Sequence, residues 1–207
     1  MGKKRNIAGM KGMRRFLIYI YNVSALAVAV LTAAVAASCD KAEERYSTEY
    51  VCNFTFSTQL RPTSILARVW TNPGMFVRVE VAKRSGVHHV LLYPNNGDAP
   101  EDIAMTTAID NDRIDYSHIG ANGSIIVGCT TTNERRGYDA QCPYCLSTHS
   151  STAFPLSWAD NGQAVTCSGA GGCGRKYNLN YGASADGHRL IEYRVRYDGN
   201  LVTVRNR

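Results

Sequence analysis

Two pairs of cysteines, separated by 21 residues, constrain the fold of this chain more than any other feature. Cys142-Pro-Tyr-Cys145 has the spacing of a zinc knuckle, whereas Cys167 and Cys173 enclose a five-residue loop that contains three glycines. Four thiolates surround a zinc ion tetrahedrally when two such turns are brought together. The pattern therefore predicts a zinc site, with a structural role, made by Cys142, Cys145, Cys167 and Cys173.

Other chemistries are open to the same four cysteines. They could bind a single iron ion or a [2Fe–2S] cluster, or they could form two disulfides in an exported protein. A glutaredoxin-like active site would need a helix that begins at the first cysteine and stabilises its thiolate. The stretch after Cys145, "LSTHSSTAFPLSW", has no helical apolar stripe. We therefore expect no helix there and no active site of that kind.

The first 38 residues have the pattern of a secretory signal peptide. Six basic residues and no acidic ones occur in residues 1–15, and residues 16–35 are uncharged and mostly apolar. The following "AASC" resembles a bacterial lipobox, which implies lipidation of Cys39. We expect an outer-membrane lipoprotein, periplasmic or surface-exposed, with residues 39–49 as a flexible acidic tether. The alternative is an uncleaved membrane anchor.

The charge distribution gives no reason to expect nucleic-acid binding. Six of the 23 Lys and Arg residues lie in the leader, so 17 remain to balance the 17 Asp and Glu residues. The sequence also lacks the serine-hydrolase elbow, the HExxH motif and the P-loop. We infer no small-molecule substrate. An enzyme is not expected, although an oxidoreductase or electron-transfer component is the form that one would take.

The sequence of residues 50–207 predicts one all-β domain. Alternating or β-branched runs such as "VCNFTFS", "MFVRVEVAK", "HHVLLYP" and "SIIVGC" alternate with turn signals. The last two runs, "IEYRVRY" and "NLVTVRN", predict a hairpin through Asp198-Gly199. One short helix is predicted after Thr63 or Ser64, and residues 97–116 are left as a loop with at most one helical turn.

The flanks of the cysteines resemble those of Rieske domains. Tyr-Asp-Ala-x-Cys142, Val-x-Cys167 and Tyr177-x-Leu179-x-x-Gly182 occur in the order of that family, over residues 125–204. The resemblance implies Rieske-like antiparallel sheets with a small zinc-ribbon-like cysteine subdomain at residues 137–182. It also implies metal ligands at Cys142 and Cys167. The family's two histidine ligands are absent, and Tyr144-Cys145 and Cys173 stand in their places, so a usual Rieske cluster is not expected.

Cys52 and Cys129 fall within predicted strands. They are either two buried small residues or a disulfide that ties the first strand to the sheet. Taken together, the sequence predicts a lipid-anchored binding or structural protein of the cell envelope, with an unidentified protein partner.

Overall fold

The computed structural model describes residues 45–113 and 116–206, and residues 46–207 form one compact unit. The predicted signal peptide, the lipidation site Cys39 and the first residues of the predicted tether lie outside the described residues. The end of that tether lies against the domain. The Ser47 N–H donates to the carbonyl of Glu192 at 3.0 Å, and the Arg194 guanidinium lies 5.1 Å from the centre of the Tyr46 ring.

The described chain is mostly antiparallel β-structure. Its strands are β1 (Asn53–Ser57), β2 (Phe76–Arg84), β3 (Val87–Pro94), β4 (Glu101–Met105), β5 (Ser124–Cys129), β6 (Arg135–Asp139), β7 (Leu156–Ala159), β8 (Ala164–Cys167), β9 (Lys176–Asn178), β10 (Ala183–Ser184), β11 (Glu192–Tyr197) and β12 (Leu201–Arg205). The short helices are α1 (Ile65–Arg68), α2 (Ala108–Arg113) and α3 (Pro143–His149), with 3-10 turns at Val69–Thr71 and Asp160–Gly162.

Two sheets contain all of these strands. Eight form one sheet in the order β1-β12-β11-β6-β5-β2-β3-β4, and the other four form a smaller sheet in the order β10-β9-β8-β7. Every strand pair is antiparallel. The predicted hairpin near the C-terminus is confirmed as β11–β12, and β12 also pairs with β1, which brings the two ends of the domain together.

The large sheet buries apolar side chains on both of its faces, because alternate residues of a strand point to opposite sides. On one face, Val77 and Val127 belong to a core that also includes Phe54 and Trp70. On the other face, Phe76 belongs to a second core, which the small sheet covers and which contains three of the paired cysteines, with the partly buried Cys173 packed against it. The metal-binding candidates are therefore part of a packed interior.

The predicted helix is confirmed as α1. Ser64 is its N-cap, since its hydroxyl accepts a hydrogen bond from the Ala67 N–H at 3.2 Å. Its apolar residues Ile65 and Leu66 are buried, as are Val69 and Trp70 in the 3-10 turn that follows.

Two expectations about local structure were wrong. The segment 97–116 contains a complete strand, β4, which was hidden by polar residues such as Glu101 and Asp102, while the helical turn expected there is helix α2. Helix α3 occupies the stretch that was expected to lack a helix after Cys145. The described chain thus has three short helices where one was predicted.

Two buried polar side chains tie loops to the large sheet. Asn95 accepts a hydrogen bond from the Phe76 N–H and donates to the carbonyls of Gly74 and Gly162, so it joins this sheet to the turn between β7 and β8. Asp139, at the end of β6, accepts from the Tyr193 hydroxyl at 2.6 Å and from two backbone N–H groups. Burial nevertheless raises the pKa of Asp139.

Candidate metal centre

The first cysteine pair lies at the start of helix α3. Cys142 is the N-cap residue, and Pro143 occupies the first turn, where a missing N–H costs nothing. The Cys142 N–H donates to the Phe154 carbonyl, and its own carbonyl accepts from the Leu146 N–H. Residues three apart share one side of a helix, so the Cys145 side chain comes next to that of Cys142 and both are fully buried.

The second pair encloses a glycine-rich loop between β8 and β9. Cys167 is the last residue of β8, and its N–H donates to the Arg175 carbonyl at 2.9 Å. Gly172 packs so tightly against Cys167 that a Cβ at this position would lie 2.7 Å from the Cys167 Sγ atom. The loop can therefore close over the sulfur only with glycine at position 172.

The four sulfur atoms meet in one cluster, all within 4.8 Å of one another. The Cys142–Cys173 Sγ distance is 3.6 Å and the Cys145–Cys167 Sγ distance is 3.7 Å. Each distance joins one cysteine of the first pair to one of the second pair. All four are free thiols. The geometry brings the four sequence-predicted ligands together and leaves room for a single ion among them.

Hydrogen-bond donors surround the sulfur atoms. The hydroxyl of Tyr177 lies 3.5 Å from the Cys142 Sγ, and the backbone N–H of Cys173 acts to lower the pKa values of Cys145 and Cys167. Both the backbone N–H and the side chain of Arg175 donate to Cys173. Such donors stabilise thiolates, which is the form that binds metals.

The thiols differ in acidity. Burial raises the pKa of Cys167 to about 12 and also raises that of Cys145. Burial opposes ionisation of Cys173 too, but the donors from Arg175 and the neighbouring thiols outweigh it and lower the Cys173 pKa to about 7. Cys173 is also the one of the four that is only partly buried.

An outer group of polar and aromatic side chains lies next to the cluster. The Arg175 guanidinium lies 3.4 Å from the centre of the Tyr144 ring and donates from Nε to Asp186 at 2.8 Å. His188 contacts Tyr144 as well, and the centres of the two rings lie 5.2 Å apart. No role was predicted for Arg175 from the sequence. Its position, two residues after the ligand candidate Cys173, was the one sign that it would lie near the cluster.

Histidine is not part of the cluster found among the described residues. His149 packs beside Phe154, with ring centres 5.3 Å apart, and His188 packs beside Tyr144 as above. The four ligand candidates are therefore all cysteines, as the sequence predicts.

Cys52 and Cys129 have separate partners. The Cys52 Sγ contacts the Val204 carbonyl at 3.6 Å, and the Cys129 thiol donates to the Asn133 side-chain oxygen at 3.1 Å. Both are buried free thiols. Burial raises the pKa of Cys52 to about 12, which makes this thiol poorly reactive.

No protein-family model, curated protein or solved structure matches this chain. Within residues 45–113 and 116–206, no helix is both long and apolar enough to cross a membrane. The functional interpretation therefore depends on the geometry of the cysteine cluster.

Proposed function

We propose that the chain is an exported, lipid-anchored β domain in which Cys142, Cys145, Cys167 and Cys173 hold one structural zinc ion. The observation that carries this proposal is the spacing of the sulfur atoms. With zinc–sulfur bonds of about 2.3 Å, a regular tetrahedron has sulfur–sulfur edges of about 3.8 Å. The Cys142–Cys173 and Cys145–Cys167 distances, 3.6 and 3.7 Å, are close to this value.

A single ion fits this cluster better than a binuclear one. In a [2Fe–2S] cluster, two iron atoms and two sulfides separate one pair of thiolates from the other. Here all four sulfurs lie within 4.8 Å of one another, so neither pair is separated from the other by a two-iron core. Zinc would connect α3 to the β8–β9 loop, which otherwise has little regular structure, and would supply folding free energy on binding.

The location of the cluster supports a structural role over a catalytic one. Structural zinc sites have four protein ligands, whereas catalytic sites keep a position open for water or substrate. Here the fourth ligand is supplied by Cys173, and the other three sulfurs are buried in the second core. We propose that the domain is Rieske-like in its arrangement and serves the cell envelope as a binding or structural module.

Metal analysis of the full chain, purified anaerobically and combined with a visible absorption spectrum, tests the zinc proposal. We expect a colourless protein with one zinc per chain, which a strong chelator removes with a fall in melting temperature. A coloured protein that bleaches on reduction would instead identify iron and an electron-transfer role. Four oxidised cysteines in freshly isolated protein would show that disulfides hold the loops.

The lipid anchor requires a separate test. Metabolic labelling with a radioactive fatty acid should label the wild-type chain and leave the Cys39→Ser variant unlabelled. The variant should also leave the membrane fraction. Equal labelling of the two proteins would reject lipidation at Cys39 without bearing on the metal site.

A further inference from the structure

We propose that Cys173 is an oxidation site at which a hydroperoxide converts the metal centre into a Cys142–Cys173 disulfide and so releases the metal. The release of metal rests on the proposed zinc site. The choice of Cys173 as the oxidised sulfur, and of Cys142 as its partner, rests only on the positions of the thiols. The two parts can therefore be tested separately.

Access favours Cys173 as the first sulfur to react. Cys142 and Cys145 are fully buried and Cys167 is 6 % exposed, whereas Cys173 is only partly buried. The loop that carries Cys173 is open around Gly171, where no heavy atom lies within 4 Å of the position that a Cβ would take. Oxidation of cysteine follows exposure, and Cys173 is the most exposed of the four thiols.

Distance and mobility favour Cys142 as the partner. Its sulfur lies 3.6 Å from that of Cys173, which is close enough for a small movement of the loop to bring the two to the disulfide length of about 2.05 Å. Cys142 is held at the N-cap of α3, so most of the approach of about 1.5 Å falls to the glycine-rich loop. Cys145 and Cys167 are 3.7 Å apart, but both lie on regular elements and are shielded from solvent.

The chemistry balances with one hydroperoxide, and hydrogen peroxide is the simplest. The Cys173 thiolate attacks one peroxide oxygen, the O–O bond breaks, and the products are a sulfenic acid at Cys173 and a hydroxide ion. The Cys142 thiolate then attacks the Cys173 sulfur, the S–O bond breaks, and a second hydroxide leaves. The two sulfurs lose two electrons, the peroxide gains them, and two of the four metal ligands are lost.

Peroxide titration of the full, reduced, zinc-loaded chain provides the test. A coloured chelator follows zinc release, and mass spectrometry of the unreduced digest identifies the disulfides as they form. We expect about one zinc to be released per peroxide consumed, with Cys142–Cys173 as the first crosslink. A first crosslink within Cys142-Pro-Tyr-Cys145, or between Cys145 and Cys167, would overturn the assignment, as would four reduced thiols after excess peroxide.

Two variants that each lose one sulfur make a matched comparison. Cys173→Ser should slow peroxide-driven zinc release by roughly tenfold or more, whereas Cys167→Ser should be no slower than the wild type. Equal slowing in both would count against a special role for Cys173. If the variants fail to fold, the crosslink map of the wild type still decides the question.

Failure of the zinc proposal can be told apart from failure of the oxidation proposal. If metal analysis finds no zinc, the same crosslink map is made on the reduced, metal-free chain. Cys142–Cys173 as the first product would then support the oxidation site alone. Any other first product would reject it, whatever the metal content.

Discussion

Replacing Tyr177 by phenylalanine should weaken zinc binding without disturbing the core. The ring is fully buried, and its hydroxyl lies 3.5 Å from the Cys142 Sγ. Burial, together with hydrogen bonding to Cys142, raises the pKa of Tyr177, so the hydroxyl keeps its proton and can donate it to the thiolate. Phenylalanine preserves the packing of the ring and removes only this donor.

The size of the effect follows from the role of the hydroxyl. Loss of a partner that hydrogen-bonds a metal ligand costs about 10- to 100-fold in metal affinity, or about 1.4–2.8 kcal/mol. In the metal-free domain the same variant loses the contact between the hydroxyl and the Cys142 thiol, so it should also lose about 1 kcal/mol of unfolding free energy.

Competition with a chromophoric chelator measures the affinity, and denaturant unfolding of the metal-free protein measures the stability. The control is Tyr181→Phe, because Tyr181 lies four residues further along and is 74 % exposed. Tyr181→Phe should match the wild type in both assays. Zinc affinity of Tyr177→Phe within twofold of the wild type would refute the idea that this hydroxyl supports the thiolate.

Three further predictions concern the scaffold. Asn95→Ala should lower the unfolding free energy by about 3 kcal/mol, because it leaves buried backbone groups without partners, whereas the exposed Asn96→Ala should change it little in the same denaturant titration. Because the folded-state pKa of Asp139 is raised, its contribution to stability should increase as the pH falls through that value towards about 4, and unfolding curves of Asp139→Asn should lack this gain. Gly172→Ala should lower zinc affinity by about tenfold or more, because the alanine methyl group would collide with the Cys167 sulfur. The chelator competition measures this, and an unchanged affinity would show that the loop adjusts freely.

Strands with a strong alternating pattern could be predicted from the sequence because the pattern reflects burial directly. Val77 and Val79 in β2 alternate with Arg78 and Glu80, and the structure buries both valines fully. Strand β4 was not predicted because it lies at the edge of the large sheet, where side chains such as Asp102 remain exposed. An edge strand has too little buried surface to leave a clear alternation.

Helix α3 shows where local sequence signals fail. Ser147, Thr148 and His149 are weak helix formers, and the segment has no apolar stripe. The burial of Cys145, in the second core, and of Leu146 supports the helix instead. Such support depends on distant strands, so it cannot be read from the local residues.

The sequence could predict which four cysteines form the cluster, but not which of their sulfur atoms lie side by side. The two tight spacings indicated which four residues meet. That the Cys142 sulfur lies 3.6 Å from Cys173, and the Cys145 sulfur 3.7 Å from Cys167, depends on the direction in which the β8–β9 loop crosses α3. This direction is set by the packing of the two sheets.

The pairing of β1 with β12 also affects how the chain can be made. Phe54 aligns with Val204, so the first strand of the domain stays without its neighbour until the last strand of the domain has been synthesised. Contacts between residues so far apart in sequence form late and slow the folding of a chain. The large sheet therefore cannot be completed until β12 has left the ribosome, and until then β1 waits without its neighbour in a chain that is still loose enough to be threaded elsewhere.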